Sequence, residues 1–255
     1  MPEIGYRLVS LGGLLFMMGV AFAASENRRS VNLHLIAWGL GLQCIFAVFV
    51  LKTTPGRWFF EGAQNAFMQL IEFSNAGASF VFGDLATDQS YGATVAFQVL
   101  PIVIFVSALS GILYHLRVIQ FVVRWAARLM QKTMKTSGAE SLGAALFVFL
   151  GIESVTAIGK YVQKMTRSEL FVVMTAFLST IASSVMGAYV KFGAEAGHLL
   201  AASLMSAPAA VVIAKIMVPE QETPATSGRV EFEPEVTTEN VVDAQFIGDI
   251  VGSIV

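Results

Sequence analysis

The sequence predicts an all-α polytopic membrane protein with about five spanning helices, interfacial amphipathic helices and one re-entrant hairpin. Three observations predict it. Of the 255 residues, 55% are hydrophobic and only 13% are charged, about half the charged content usual in soluble domains. The charges cluster between long uncharged runs instead of alternating with apolar residues, which is the pattern of spans and loops. One apolar stretch, Phe147 to Gly159, is interrupted by Gly151 and by the carboxylate of Glu153. A carboxylate at bilayer depth costs about 2.5–3.5 kcal/mol on insertion scales, so an acid placed there marks a functional site.

The uncharged runs give the spans in order. Leu8 to Ser25 is the first and Ser30 to Leu51 the second. Thr94 to Leu116 is the third, with Pro101 near its start. Leu170 to Val190 is the fourth, and Ala196 to Ala214 is the fifth, with Pro208 inside it as a kink point. Glu26-Asn27-Arg28-Arg29 joins the first two. Its arginine pair places that loop on the cytoplasmic side and the N-terminus outside.

The intervening segments differ in kind. Trp58 to Phe82 mixes aromatic and aliphatic residues with Glu61, Gln64, Asn65, Gln69 and Glu72, which predicts a helix lying in the interface. Gly83 to Tyr91 is a polar loop. Arg117 to Lys135 repeats the amphipathic theme, with Arg117, Arg124, Arg128, Lys132 and Lys135 among apolar residues. Such cations snorkel from an interfacial helix. Ser137-Gly138-Ala139-Glu140 matches a capping box and starts a helix. Glu140 is read either as that cap alone or as part of a transport path. From Ser141 to the tip there are roughly a dozen residues, short of the ~20 needed to span. A short apolar run, a break at Gly151 and a second short run ending at Lys160 describe a re-entrant hairpin.

The organisation that follows has six parts: 1–53 with two scaffold-like spans, 54–91 an interfacial helix and loop, 92–116 the third span, 117–220 an interfacial helix, the hairpin and spans four and five, 221–239 an acidic flexible linker, and 240–255 the incomplete start of a further segment. A net charge of -2 leaves no nucleic-acid footprint. Cys44 is the single cysteine, so no intrachain disulfide forms, and no Cys/His spacing suggests zinc. No nucleophile, metal set or second acid partners Glu153, so no enzyme and no cofactor are expected.

The residues around the hairpin resemble the concentrative nucleoside transporter family. Pro101-Ile102-Val103-Ile104-Phe105-Val106-Ser107 is similar to that family's third span, and Ser137-Gly138-Ala139-Glu140-Ser141 to the start of its first hairpin. Met165-Thr166-Arg167-Ser168-Glu169-Leu170, Thr180-Ile181-Ala182, Ala202 to Pro208 and Ala214-Lys215-Ile216-Met217-Val218-Pro219-Glu220 resemble the segments that follow. The likeness runs in register from about residue 5 to residue 244 and covers the N-terminal part of the family's length. It implies nucleoside import by cation-coupled symport, with Na⁺ or H⁺ as the coupling cation. It also implies two inverted repeats, an elevator motion, a homotrimer and a bacterial-type inner (plasma) membrane.

Carried over position by position, the resemblance implies a substrate site of Gly151, Glu153, Ser154 and Val185. It implies a sodium site of the Leu150 carbonyl with Thr180 and Ile181. Where the family has an asparagine ligand, this chain has Phe147. Hard cations need oxygen ligands, so proton coupling through Glu153 stands beside sodium coupling. No second hairpin and no ribose-binding residues are found, and the chain is expected to be inactive by itself. The alternative is a non-transporting membrane binding or scaffold protein that reuses the hairpin. A membrane-embedded hydrolase with Glu153 as general base is the third reading.

Overall fold

The computed structural model describes residues 2–87, 95–150 and 155–226, and all described regular structure is helical. Eleven helices follow in chain order: α1 Pro2–Ala23, α2 Leu33–Lys52, α3 Thr54–Phe82, α4 Asp84–Thr87, α5 Leu100–His115, α6 Val118–Met134, α7 Gly138–Leu150, α8 Val155–Val162, α9 Arg167–Ser179, α10 Ser183–Lys191 and α11 Ala196–Met217. A π-helical turn, Val95–Val99, leads into α5.

Three helices are long and apolar enough to cross a bilayer: Leu33–Val50, Val95–His115 and Ala196–Met217. Shorter apolar helices cover Val9–Ala23 and Gly138–Val148. The predicted first, second, third and fifth spans therefore fall on helices. The fourth does not run through: residues 170–190 form two helices, α9 and α10, separated at Thr180, Ile181 and Ala182. Thr180 takes an extended conformation, and both its backbone N–H and its hydroxyl donate to the Ala176 carbonyl. A hydroxyl competing for an i−4 carbonyl favours a helix end over a helix interior, a signal that hydropathy does not carry.

Helix starts follow their chemistry. Asn32 caps α2 through the His34 and Leu35 amides, and Thr53 with Pro55 opens α3. The amphipathic α3 runs for 29 residues, about 43 Å, from Thr54 rather than Trp58. In the predicted polar loop, Asp84–Thr87 turns as a short helix.

The axis of the core is α11. Half of it is buried, against 17% of the α2 window. Gly39 on α2 lets the two helices close: a side chain there would strike Val212 and the Met134 methyl. Gly187 on α10 likewise abuts Ile102 of α5. Close approach through glycine is how helices gain packing where lipid removes the hydrophobic drive to associate. On the outside, Val9, Leu15 and Phe16 of α1, Ile104 of α5 and Leu178 of α9 are exposed, as lipid-facing side chains are.

Candidate functional site

Two helices of identical length frame the site. Both α7 and α9 have 13 residues, about 20 Å, which is short of the ~30 Å hydrocarbon core. Each begins in a capping box. In α7 the Ser137 hydroxyl accepts from the Glu140 amide at 3.3 Å and Glu140 Oε1 accepts from the Ser137 amide at 2.6 Å. In α9 Thr166 and Glu169 do the same at 3.1 and 2.8 Å. Thr226 ties these two starts together. Its carbonyl accepts from the Gly138 amide, its hydroxyl oxygen accepts from the Ala139 amide, and that hydroxyl donates to Glu169 Oε1. The beginning of the segment predicted as a flexible linker is thus held in the fold.

At the far ends, Phe147 of α7 and Phe177 of α9 meet edge to face with ring centroids 5.4 Å apart. The two helices therefore run parallel and finish side by side. α8 lies against α7: a Cβ on Gly143 would come within 3.2 Å of Ile158 and 3.0 Å of Val173. Helix C-termini carry unpaired carbonyls and the negative end of the macrodipole. Two such ends lie at one level here, one finishing in Leu150 and the other running into Thr180. The Thr180 oxygen, though its proton is committed to Ala176, keeps lone pairs. Ser203 of α11 donates to the Val148 carbonyl at 3.4 Å, which fixes α7 to the core just before its end.

The sequence-predicted residues divide accordingly. Leu150 is the last residue of α7, and Thr180 and Ile181 form the break after α9. Val185 lies in the first turns of α10, 40% exposed. Gly151, Glu153 and Ser154 lie outside the described residues. Phe147 is fully buried and spent on packing. Its side chain offers no oxygen where the family resemblance implies an asparagine ligand.

The sequence missed the charged end of the bundle. Lys215, buried near the end of α11, places its ammonium 2.8 Å from Glu140 Oε2, 3.0 Å from the Ser168 hydroxyl and 3.0 Å from Glu220 Oε2. The Glu140 contact is a buried ion pair, and among the described residues Lys215 is the partner of Oε2. Glu220 also accepts from the Thr166 hydroxyl, and Ser168 donates on to the Val218 carbonyl. One cation thus holds the starts of both α7 and α9. Glu140 is a cap, as one sequence reading had it, and half of a buried ion pair as well. The Thr166-x-x-Glu169 spacing was available as a capping-box signal, whereas nothing local pointed Lys215 at Glu140.

Paired half-length helices, a broken segment and several apolar spans define a multi-pass membrane protein with a transporter fold. The comparisons then narrow the class. The family described as Na⁺ dependent nucleoside transporter N-terminus matches residues 12–85, and the family described as nucleoside recognition (Gate) matches residues 96–196. Sodium/nucleoside cotransporter 1 of Rattus norvegicus is 41% identical over 217 residues, 85% of this chain and 33% of its own length. Solute carrier family 28 member 3 of Homo sapiens is 40% identical over 219 residues, 86% of this chain and 31% of its own. CNTnw in an inward-facing substrate-bound state superposes with a TM-score of 0.83 at 32% identity, covering 97% of this chain and 60% of that one. The chain belongs to the concentrative nucleoside transporter family and corresponds to its N-terminal part. It spans about a third of the length of the curated relatives it matches.

Proposed function

We propose that this chain provides the first nucleoside- and cation-binding half of a symporter that imports nucleosides across the plasma (inner) membrane. In this reading α7, the tip at 151–154 and α8 form a re-entrant hairpin, and residues 170–190 a broken span. Glu153 and Ser154 hydrogen-bond the nucleobase beside Gly151, with Val185 packing against it. Discrimination among bases follows from polar groups that a wrong base leaves unpaired. The coupling cation lies against the Leu150 carbonyl, Thr180 and Ile181. With Phe147 contributing no oxygen, the Na⁺ site is poorer by one ligand, and protonation of Glu153 becomes a second coupling route. Alternating access by an elevator motion, a second inverted repeat and a homotrimer complete the proposal. It is a transporter and not an enzyme.

The observation that carries this reading is the shared end of α7 and α9. The Phe147–Phe177 contact brings the last turn of α7 beside the last turn before Thr180, which supports a shared site for the cation residues and for the substrate residues that follow α7 in sequence. Nucleoside and cation then bind in one place, as coupling requires.

The test exchanges the matching part of rat sodium/nucleoside cotransporter 1 for this chain. Uptake of labelled purine and pyrimidine nucleosides is then followed with Na⁺, with choline and under an imposed proton gradient. Gradient-dependent accumulation that is abolished by Glu153→Gln is expected. Accumulation unchanged by Glu153→Gln would sink the site assignment. Saturable nucleoside binding with no accumulation under either gradient would favour a binding or scaffold protein.

A further inference from the structure

We infer that the outer face of α6 is a docking surface for anionic phospholipid headgroups. Two residues separate the start of this helix from His115, where the α5 span ends. From Arg117 to Lys135 it carries five cations and no Asp or Glu. A segment so charged does not cross a hydrocarbon core, so α6 lies along the interface. Ile119, Val123, Ala127, Met130 and Met134 bury one face against the bundle. The opposite face is ordered along the axis. Phe121 and Trp125, 72% and 57% exposed, lead into Arg128, Lys132 and Lys135, all exposed. Steps of four, three, four and three residues keep these five side chains in one row. The aromatic rings suit the acyl boundary, and the long cationic side chains reach from the same row to the phosphate level.

No ion pair engages Arg117, Arg128, Lys132 or Lys135 among the described residues. The nearby carboxylates Glu140 and Glu220 are already taken by Lys215. An unmatched row of positive charge at a bilayer surface calls for negative headgroups. The orientation agrees. Lys135 lines one polar cavity with Ser30 and Asn32, so α6 ends where the basic loop with Arg28 and Arg29 lies. Basic loops mark the cytoplasmic side, and the cytoplasmic leaflet is the anionic one.

A second observation concerns the backbone. Arg117 and Lys135, the residues that bound α6, are the only described non-glycine residues with positive φ, at 61° and 55°. That region favours glycine. At both turns the chain carries a cation where glycine would fit better, so the charge rather than the turn accounts for these residues.

The experiment uses the full chain reconstituted in phosphatidylcholine bilayers with a minor fraction of phosphatidylglycerol. Trp125 is the sole tryptophan after Trp38→Phe and Trp58→Phe, and bromine is carried on the acyl chains of one lipid or the other. Brominated phosphatidylglycerol is expected to quench Trp125 several-fold more per mole than brominated phosphatidylcholine. The preference should fall roughly fivefold for each headgroup-bound cation removed by Arg128→Gln or Lys132→Gln, and should collapse in high salt. Lys135→Gly and Arg117→Gly separate charge from structure, because each relieves the backbone while deleting the cation. They should keep the folded protein and weaken the preference. Equal quenching by the two lipids in the unmodified row, or a preference that survives loss of Arg128, Lys132 and Lys135 together, would overturn the proposal. The salt titration needs no row variant and decides even if the glutamine variants fail to fold.

Discussion

Lys215→Met is expected to be the most damaging single substitution at the charged end of the bundle. Its ammonium is surrounded by three oxygens, from Glu140, Ser168 and Glu220, at 2.8–3.0 Å. The Glu140 and Lys215 side chains are 2% and 8% exposed. Removing one partner of a buried pair leaves the other charge uncompensated, at about 3–5 kcal/mol. Glu140→Gln should cost less, about 1–3 kcal/mol, for two reasons. The amide oxygen can still accept from the Ser137 amide, and Lys215 keeps Glu220. For a chain of this length a kilocalorie moves Tm by about 2–4 °C, so Lys215→Met should lower it by about 6–20 °C. The assay is a double-mutant cycle on detergent-solubilised protein, with Tm followed by size-exclusion chromatography after heating. The double variant should be less impaired than the sum of its parts by about 0.5–3 kcal/mol. Strict additivity, or Glu140→Gln proving as harmful as Lys215→Met, would refute the reasoning.

Three further outcomes follow from particular contacts. Gly187→Ala drives a methyl into Ile102, which is fully buried and has nowhere to move. A loss of about 1–3 kcal/mol is expected, partly recovered by Ile102→Leu, which is unbranched at Cβ; a silent Gly187→Ala in the same melting assay would count against the close α5–α10 contact. Thr226→Val removes the hydroxyl that serves both Ala139 and Glu169, costing about 1–3 kcal/mol, whereas Thr226→Ser should hold; equal melting of the two variants would show that the bridge does not form. Phe147→Asn should destabilise by about 3–5 kcal/mol through lost packing against Phe177. It should also gain a Tm rise in NaCl that choline chloride does not give, since binding only the folded state stabilises it. No sodium-specific rise would remove Phe147 from the cation site.

Much of the fold was legible because the bilayer imposes simple rules. Apolar runs long enough to span predicted helices where α1, α2, α5 and α11 stand. The alternation of Arg, Lys and apolar residues from 117 to 135 predicted α6 as amphipathic. Ser137-Gly138-Ala139-Glu140 predicted the start of α7 because a cap is a local bargain between a hydroxyl, a carboxylate and two amides a few residues apart. Hydropathy failed at residues 180–182, where the break arises from a threonine hydroxyl competing for a carbonyl and leaves the mean apolarity unchanged.

Of the site, the sequence by itself determined which residue types are present: a carboxylate at Glu153 in an apolar run, Thr180 and Ile181 in a small-residue stretch, and Phe147 where a ligand was expected. Only the tertiary structure decided that α7 and α9 are parallel and equal in length, that they end together at Phe147 and Phe177, and that Lys215 holds both of their starts. Those facts rest on contacts between residues 30 to 90 positions apart. Periodicity, capping and hydropathy act within a few residues along one helix. The pairing of one helix with another is set by which ridges, glycines and charges happen to face each other once the chain has folded.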